Sequence, residues 1–439
     1  MRTDIMNNKN LLLTYGTIVL FLSAHAFSQG AVNPSSANLS VTERASTKTN
    51  TFEVSVQEQS GIRRFGYPVN AQVPFRKGTL SSSDQVRLRQ NKTELPAQYG
   101  VQSRWEDGTI QWMTIDWNIS IGPLEKALFY VEYGPNVKRS RKATGLLVTE
   151  TDQSIQVGEF RFRKDGWPLI ESCTHMKAEN VGQGGNGLII SDTEGHIFDF
   201  QNASDLSARI VKPGPIHVKI QYQGTWKTPR GSSITFHTEI ELPNSKSLWK
   251  VTHRAHDPRG KLDHIRLLTP FQLGKLPLVW DFGTGSWTYG QLRTPQESAV
   301  LEQNIFDKQD RSSSNWIVKH GIPANLLPYE VGHGERARAS EGWGHLIGER
   351  VVAFAMTDFG RQEGLYSLSV SGNGSSEFSY HAPNGKSRLS LTVFQHFVNL
   401  PVQIGAATSP PAMLNSLMTG CRKDYYDYCG VQPSKHLIH

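Results

Sequence analysis

One short stretch gathers side chains that move protons and hold anions: Tyr329-Glu330-Val331-Gly332-His333-Gly334-Glu335-Arg336-Ala337-Arg338, followed by His345. A phenol or imidazole transfers protons once its surroundings tune its pKa, and an arginine fork clamps a carboxylate through two parallel bonds. Together these types suit removal of a proton beside a carboxylate. A cation neutralises the acid group and makes the neighbouring C–H acidic, a base takes the proton, and an acid protonates the leaving oxygen. Tyr329 and His333 are the candidates for proton transfer, and Arg336 and Arg338 for the clamp, with His345 beside them. Gly332 and Gly334 predict a loop, where such groups concentrate; the plainer alternative is a polar surface loop.

A second collection is Lys250-Val251-Thr252-His253-Arg254-Ala255-His256-Asp257. With 248–256 as a strand, Arg254 and His256 point to one face and Val251, His253 and Ala255 to the other. His256 then joins the proton-transfer candidates and Arg254 the anion-binding ones, unless both are a solvated strand end. A third stretch, Trp280-Asp281-Phe282-Gly283-Thr284-Gly285-Ser286-Trp287-Thr288-Tyr289, reads as an aromatic loop. Sugar rings stack on such side chains, so Trp287 and Tyr289 are candidate platforms, with core packing as the alternative. Glu330, Glu335, Asp281 and Asp358 are available for a hydrolytic carboxylate pair, although no spacing pairs them. No nucleophile elbow, phosphate loop, dinucleotide fingerprint or zinc-ligand spacing occurs. No cofactor is expected; calcium stays open, since its Asp and Glu ligands need no local motif.

The elements that must position these groups read as strands. Ile216, Val218, Ile220 and Tyr222 alternate with polar residues, as do Ile234, Phe236, Ile240 and Leu242, and Leu389, Leu391 and Val393. Period two means one buried face per strand. Asp107-Gly108, Asp165-Gly166, Pro213-Gly214 and Asn384-Gly385 supply turns, and the expected class is all-β. A basic cluster, Lys138-Arg139-Ser140-Arg141-Lys142, reads as a linker. It separates a small domain at 51–136, of a size for a barrel, from a large sandwich at 147–405, with a tail at 406–439.

At the N-terminus, Arg2 and Lys9 precede an apolar run from Leu11 to Phe27 that ends in small residues. That predicts a cleaved signal peptide at 1–28, with cleavage after Ala26 or Ser28, a flexible leader at 29–50, and an exported protein without a membrane span. In an oxidising compartment Cys421 and Cys429 are placed for a local disulfide, leaving Cys173 over. The 439 residues carry 46 Lys and Arg against 39 Asp and Glu, a net charge of +7. Outside the cytoplasm this balance favours an acidic polysaccharide or oligosaccharide as partner. The cations are scattered rather than clustered, which argues against nucleic acid.

Two sets of motifs carry a resemblance to a known family. The first is Gly66-Tyr67-Pro68-Val69, Val73-Pro74-Phe75, Gly78, Leu95-Pro96-Ala97-Gln98-Tyr99, Trp105-Glu106-Asp107-Gly108-Thr109-Ile110-Gln111-Trp112 and Tyr130-Val131-Glu132-Tyr133-Gly134. The second is Gly342-Trp343-Gly344, Val351-Val352-Ala353-Phe354-Ala355, Thr357-Asp358-Phe359 and Ser369-Val370-Ser371-Gly372-Asn373-Gly374. In order and spacing they resemble the exo-rhamnogalacturonan lyase-like family, which includes YetA-like proteins, over most of residues 60–400. The resemblance implies an N-terminal RIFT-type β-barrel, a central β-sandwich, and a lyase that cleaves a uronic-acid polysaccharide by β-elimination. Full-length lyases of this group continue into an α/α-toroid that this chain does not carry. The alternatives are therefore a glycan-binding or accessory protein without catalysis, or a glycoside hydrolase.

Overall fold

The computed structural model describes residues 37–45, 50–58, 63–175, 177–182, 184, 187–245, 248–284, 287–305, 316–331, 340, 342–360 and 363–398. Among them the chain is all-β, with two single-turn 3-10 helices at Ser83–Gln85 and Phe200–Asn202. Among the described residues no helix is long and apolar enough to cross a membrane. His333, Arg336, Arg338, the Cys421 and Cys429 pair and the signal segment lie outside the described residues.

The chain divides into two units, one within residues 1–61, 70–115 and 121–142, the other within 62–69, 116–120 and 143–439. The first eight strands are β1 (Ala37–Ala45), β2 (Asn50–Glu58), β3 (Arg64–Pro74), β4 (Val86–Gln90), β5 (Thr93–Leu95), β6 (Gln98–Arg104), β7 (Ile110–Ile121) and β8 (Lys126–Tyr133). They pair as a five-stranded sheet, β1-β2-β8-β4-β5, and a three-stranded one, β3-β7-β6, rather than as one closed ring of ladders among the described residues. Residues 37–45, expected in a flexible leader, instead form β1, in antiparallel register with β2 from Ala37 opposite Glu58 to Ala45 opposite Asn50. The reason is proximity: β2 follows almost at once, so its free edge pairs at little loop-closure cost. The first unit's core centres on Phe52, stacked on Tyr133 at 5.1 Å with the Phe75 edge against both rings. Asp107-Gly108 makes the expected turn: Gly108 takes φ +80°, and the Asp107 carboxylate accepts from the Thr109 amide at 3.0 Å.

The second unit holds β9 (Val148–Glu150), β10 (Ser154–Val157), β11 (Phe160–Arg163), β12 (Ile170–His175), β13 (Ala178–Glu179), β14 (Gly187–Asp192), β15 (Ile197–Asp199), β16 (Ser204–Pro213), β17 (His217–Lys227), β18 (Ser233–Pro243) and β19 (Leu248–His256). There follow β20 (Leu262–Pro270), β21 (Leu278–Gly283), β22 (Trp287–Leu292), β23 (Ser298–Ile305), β24 (Trp316–Ile322), β25 (Asn325–Val331), β26 (Trp343–Ile347), β27 (Val351–Met356), β28 (Gly364–Ser371), β29 (Ser375–Lys386) and β30 (Arg388–Val398). An eight-stranded sheet, β15-β14-β20-β29-β28-β23-β24-β25, faces a nine-stranded one, β16-β17-β18-β19-β30-β27-β26-β21-β22, and β9 to β13 add a small third sheet. One apolar cluster lies between the sheets. Val218, Ile220, Trp249 and Phe354 meet Leu267, Leu368 and Phe378, with the Phe354 and Phe378 rings edge to face at 5.7 Å. Alternation therefore sends every other residue of the large sheet outward, away from this core.

Glycines mark where backbones meet closely. A Cβ on Gly344 would lie 2.5 Å from the Asp281 carbonyl oxygen, and one on Gly283 2.3 Å from the Trp343 ring. Asn384-Gly385 is not a hairpin tip. Both residues take positive φ inside β29, where the ladder to β20 shifts register and the chain turns toward β30 in the other sheet.

Candidate functional site

The register of the nine-stranded sheet lines up its outward side chains in rows across the strands. One row carries Lys219 opposite Glu241, Glu241 opposite Lys250 and Lys250 opposite Phe394. A parallel row ends in His396 opposite Ala353, Ala353 opposite His345, His345 opposite Asp281 and Asp281 opposite Tyr289. A third carries Gln223 opposite His237 and His237 opposite Arg254. The signal was present in the sequence as the polar half of the alternating strands. Sequence reasoning used that polar half only in β19, at Arg254 and His256.

On this face His217 stands between two carboxylates, with Nε2 3.3 Å from Glu241 and Nδ1 3.5 Å from Asp116. Lys212 donates to Asp116 at 2.8 Å, Lys250 to Glu241 at 3.0 Å, and Lys219 lies 3.6 Å from Glu239. Arg254 reaches Glu239 at 3.4 Å. Four cations and an imidazole thus meet three carboxylates, a positive surplus. Burial disfavours charge on His217, Glu241 and Asp116, yet their partners outweigh it. His217 is raised above its ordinary value by its bonds to Asp116 and Glu241. Glu241 is held well below the usual carboxylate range by Lys250, by the His217 bond and by Lys219. Asp116 is lowered by its bond to His217 and by Lys212. The group stores a proton between two ionised acids.

Next to this cluster lies an open depression of about 510 Å³, lined by Asp205, Gln221, Gln223, Thr225, Thr235 and His237 over Gly224 and Phe236. Arg254 and His256 border it, opposite His237 and Thr235 on the neighbouring strand. The strand bounds read from sequence hold: Arg254 is exposed and His256 half-buried on the outer face. His253 faces inward, fully buried, bonded to Thr238 at 2.9 Å and depressed to about 3 by burial.

The other candidates lie elsewhere. Tyr329 is in β25, not in a loop, at a bulge where Val318 pairs with Glu330 but Lys319 with Pro328. Its hydroxyl donates to the Tyr289 carbonyl at 2.8 Å and its ring packs edge-on to Trp280 at 5.4 Å, so it closes the edge between β25 and β22. Burial, then Tyr289 and Glu330, raise its pKa. From β19 to β22 is five strand spacings, about 24 Å, so Tyr329 and His256 do not converge. His345 is also strand, in β26, and buried. Its Nδ1 lies 2.7 Å from Asp281, whose same oxygen accepts the His345 amide at 2.9 Å, which makes it a packed pair rather than a surface anion ligand. The expected aromatic loop is the hairpin of β21 and β22. Trp280 fills the core and Tyr289 is half-buried, while Trp287 opens β22 with its side chain outside the described set.

Among the described residues, one group has metal-ligand spacing: Asp192, Glu194 and His196. A guanidinium already neutralises it, because Arg259 bonds Asp192 at 3.1 Å and Asp257 at 2.9 Å. The buried carboxylate of Asp192 also accepts the amides of Glu194 and His196, both at 3.0 Å. That set is an ion-paired turn.

No family model and no curated protein matches the chain. Among solved structures it is similar to a protein in the Glycosyl Hydrolase Family 38 from Enterococcus faecalis, with 7% identity and TM-score 0.47, over 86% of this chain and 47% of that one. It is also similar to an α-N-acetylgalactosaminidase from Bifidobacterium bifidum, with 11% identity and TM-score 0.35, over 57% and 36% of the two chains. A galactose mutarotase related enzyme from Lactobacillus acidophilus has 9% identity and TM-score 0.30, over 58% and 97%. The chain thus spans about half of the first protein and about a third of the second.

Proposed function

We propose that the second unit binds an acidic polysaccharide along the outer face of β17, β18 and β19, and that the protein does so outside the cytoplasm. The observation that carries this reading is the cationic surplus on that face, set beside a depression lined by amides and hydroxyls. Lysine and arginine neutralise uronate carboxylates, and Gln and Thr side chains both donate to and accept from sugar hydroxyls. Electrophoresis through gels containing polygalacturonate, alginate or glucuronan tests it. Retardation that fades as salt rises is the expected result; unretarded migration in all three would overturn the proposal.

A second reading, β-elimination at the same place, is favoured by the imidazole of His217 standing among Lys212, Lys219 and Lys250. The neutral imidazole takes the proton beside the uronate carboxylate and the bond to the leaving oxygen breaks. A carbon–carbon double bond forms, and the imidazolium returns its proton to that oxygen. The rate should rise with pH through the raised pKa of His217. Ultraviolet absorbance of unsaturated uronate ends is the readout, and retardation without any absorbance would leave binding alone.

A further inference from the structure

We infer that the depression between β16, β17 and β18 is a subsite for an uncharged, hydroxyl-rich sugar ring, with Asp205 and Gln223 as its hydrogen-bonding residues. The inference rests on the proposed carbohydrate-binding reading of this face, but not on the cationic cluster.

The depression is built by a coincidence of two local features. In β16, Ser204 pairs with Thr225 but Ser207 with Gln223, so Asp205 and Leu206 together oppose Gly224. The extra residue makes a bulge, a device that re-aims a side chain. Asp205 takes φ +55°, a left-handed conformation that costs a non-glycine residue energy and persists where the surrounding structure over-determines it. Opposite it, Gly224 lets the Phe236 ring close up against the backbone beneath the depression. A Cβ there would lie 2.7 Å from the Phe236 ring, which stacks on Trp226 at 4.2 Å and forms a firm floor.

The walls are matched to hydroxyls rather than to carboxylates. No lysine or arginine lines the depression. The guanidiniums beside it are both engaged, Arg209 donating to Gln221 Oε1 at 2.8 Å and Arg254 to Glu239 at 3.4 Å. With its oxygen so held, the Gln221 amide turns its NH₂ to His237 Nε2, which fixes that imidazole nitrogen as an acceptor and the ring as neutral. Burial and then Arg254 and Lys219 work in the same direction, lowering the His237 pKa against the pull of Glu239. What faces the open volume is one carboxylate, one free-turning amide and the hydroxyls of Thr225 and Thr235. A uronate entering here would meet Asp205 while the bordering Arg254 is already paired with Glu239, a like-charge contact that selects against it.

Isothermal calorimetry with neutral tetrasaccharides of galactose, mannose, xylose and glucose, and with galacturonate oligomers, tests the assignment on the full chain. At least one neutral probe should bind, and Gln223→Ala should weaken it about tenfold, the scale of lost hydrogen bonds to a sugar. Asp205→Asn keeps a residue that tolerates the left-handed backbone. It should weaken the neutral probe several-fold while galacturonate begins to compete for the site. Circular dichroism confirms that both variants fold. Binding by no neutral probe, or neutral binding unchanged in both variants, overturns the subsite. If neutral binding is found and is lost in Gln223→Ala while no acidic polysaccharide retards the protein, the subsite stands and the acidic-polysaccharide reading falls.

Discussion

At one end of the large sheet's outer face His217 is held by Glu241 and Asp116, and at the other His345 is held by Asp281. The two pairings use the same chemistry in the same fold layer. They differ in solvent: His217 and Glu241 keep 18% and 19% of their side-chain surface, whereas His345 and Asp281 keep 1% and 0%. A partly exposed pair surrounded by lysines can exchange a proton or admit an anion. A sealed one, with Gly344 and Gly283 admitting neighbouring backbone and the Trp343 ring at closest approach, fixes strand register. Residue type alone does not mark a site; access does.

The sharpest way to break this comparison is to remove one partner at the sealed end. His345→Ala leaves Asp281 as a buried carboxylate without its imidazole and should cost about 3–5 kcal/mol of stability in urea unfolding. Polysaccharide binding by the fraction that remains folded should be unchanged. If the loss is under about 1 kcal/mol, the sealed end is not the structural half.

The solvated end should instead show itself through pH. Asp116 and Glu241 have lowered pKa values, so they add stability above the ordinary carboxylate range and lose it as pH falls through their folded values. His217 is raised from 6.5, so its contribution is complete below 6.5 and disappears as pH rises through its folded value. Buried His253, lowered to about 3, adds to the acid limb, because the unfolded chain takes up its proton between 6.5 and that value. Thermal unfolding should therefore give a maximum between the acid and alkaline limbs. His217→Gln should remove the alkaline limb and leave the His253 part of the acid one. The His217 share is about 1 kcal/mol, given its exposure.

The smallest effect on stability and the most specific one on binding belongs to Lys250→Gln. With a third of its surface exposed, Lys250 should contribute less than about 1 kcal/mol to unfolding. Retardation in polygalacturonate should nevertheless weaken several-fold, with a shallower salt dependence. Equal retardation by the variant and the parent would mean that the cationic row does not meet the ligand.

Strand parity was legible in the sequence. β19 begins and ends where alternation puts it, with Arg254 outward and His253 inward, because a period of two leaves no other arrangement. The Asp107-Gly108 hairpin was legible for an equally local reason, a carboxylate that caps its own turn. The charged cluster was not. Register of the β17–β18 ladder sets His217 beside Glu241, and Asp116 reaches them from β7, about a hundred residues earlier in the chain and paired in a different sheet. Glycine misled the reading around His345: Gly332 and Gly334 suggested a loop continuing toward it, but His345 is in a strand, packed so closely at Gly344 that no Cβ fits there against the Asp281 carbonyl. Tyr329 misled it differently. One bulged residue in β25 turned its hydroxyl to a backbone carbonyl, and no composition rule anticipates a bulge.

β30 lies between β19 and β27 in the middle of the nine-stranded sheet, yet it is the last described strand to be synthesised. Until it inserts, β16 to β19 and the strands β26, β27, β21 and β22 are two separate ribbons, each with a bare edge of unpaired amides and carbonyls. Such edges template association with other chains, and a closure this distant in sequence is slow. Delivery of the chain in an unfolded state would prolong that interval, so the yield of native protein depends on how quickly its final strand finds the gap.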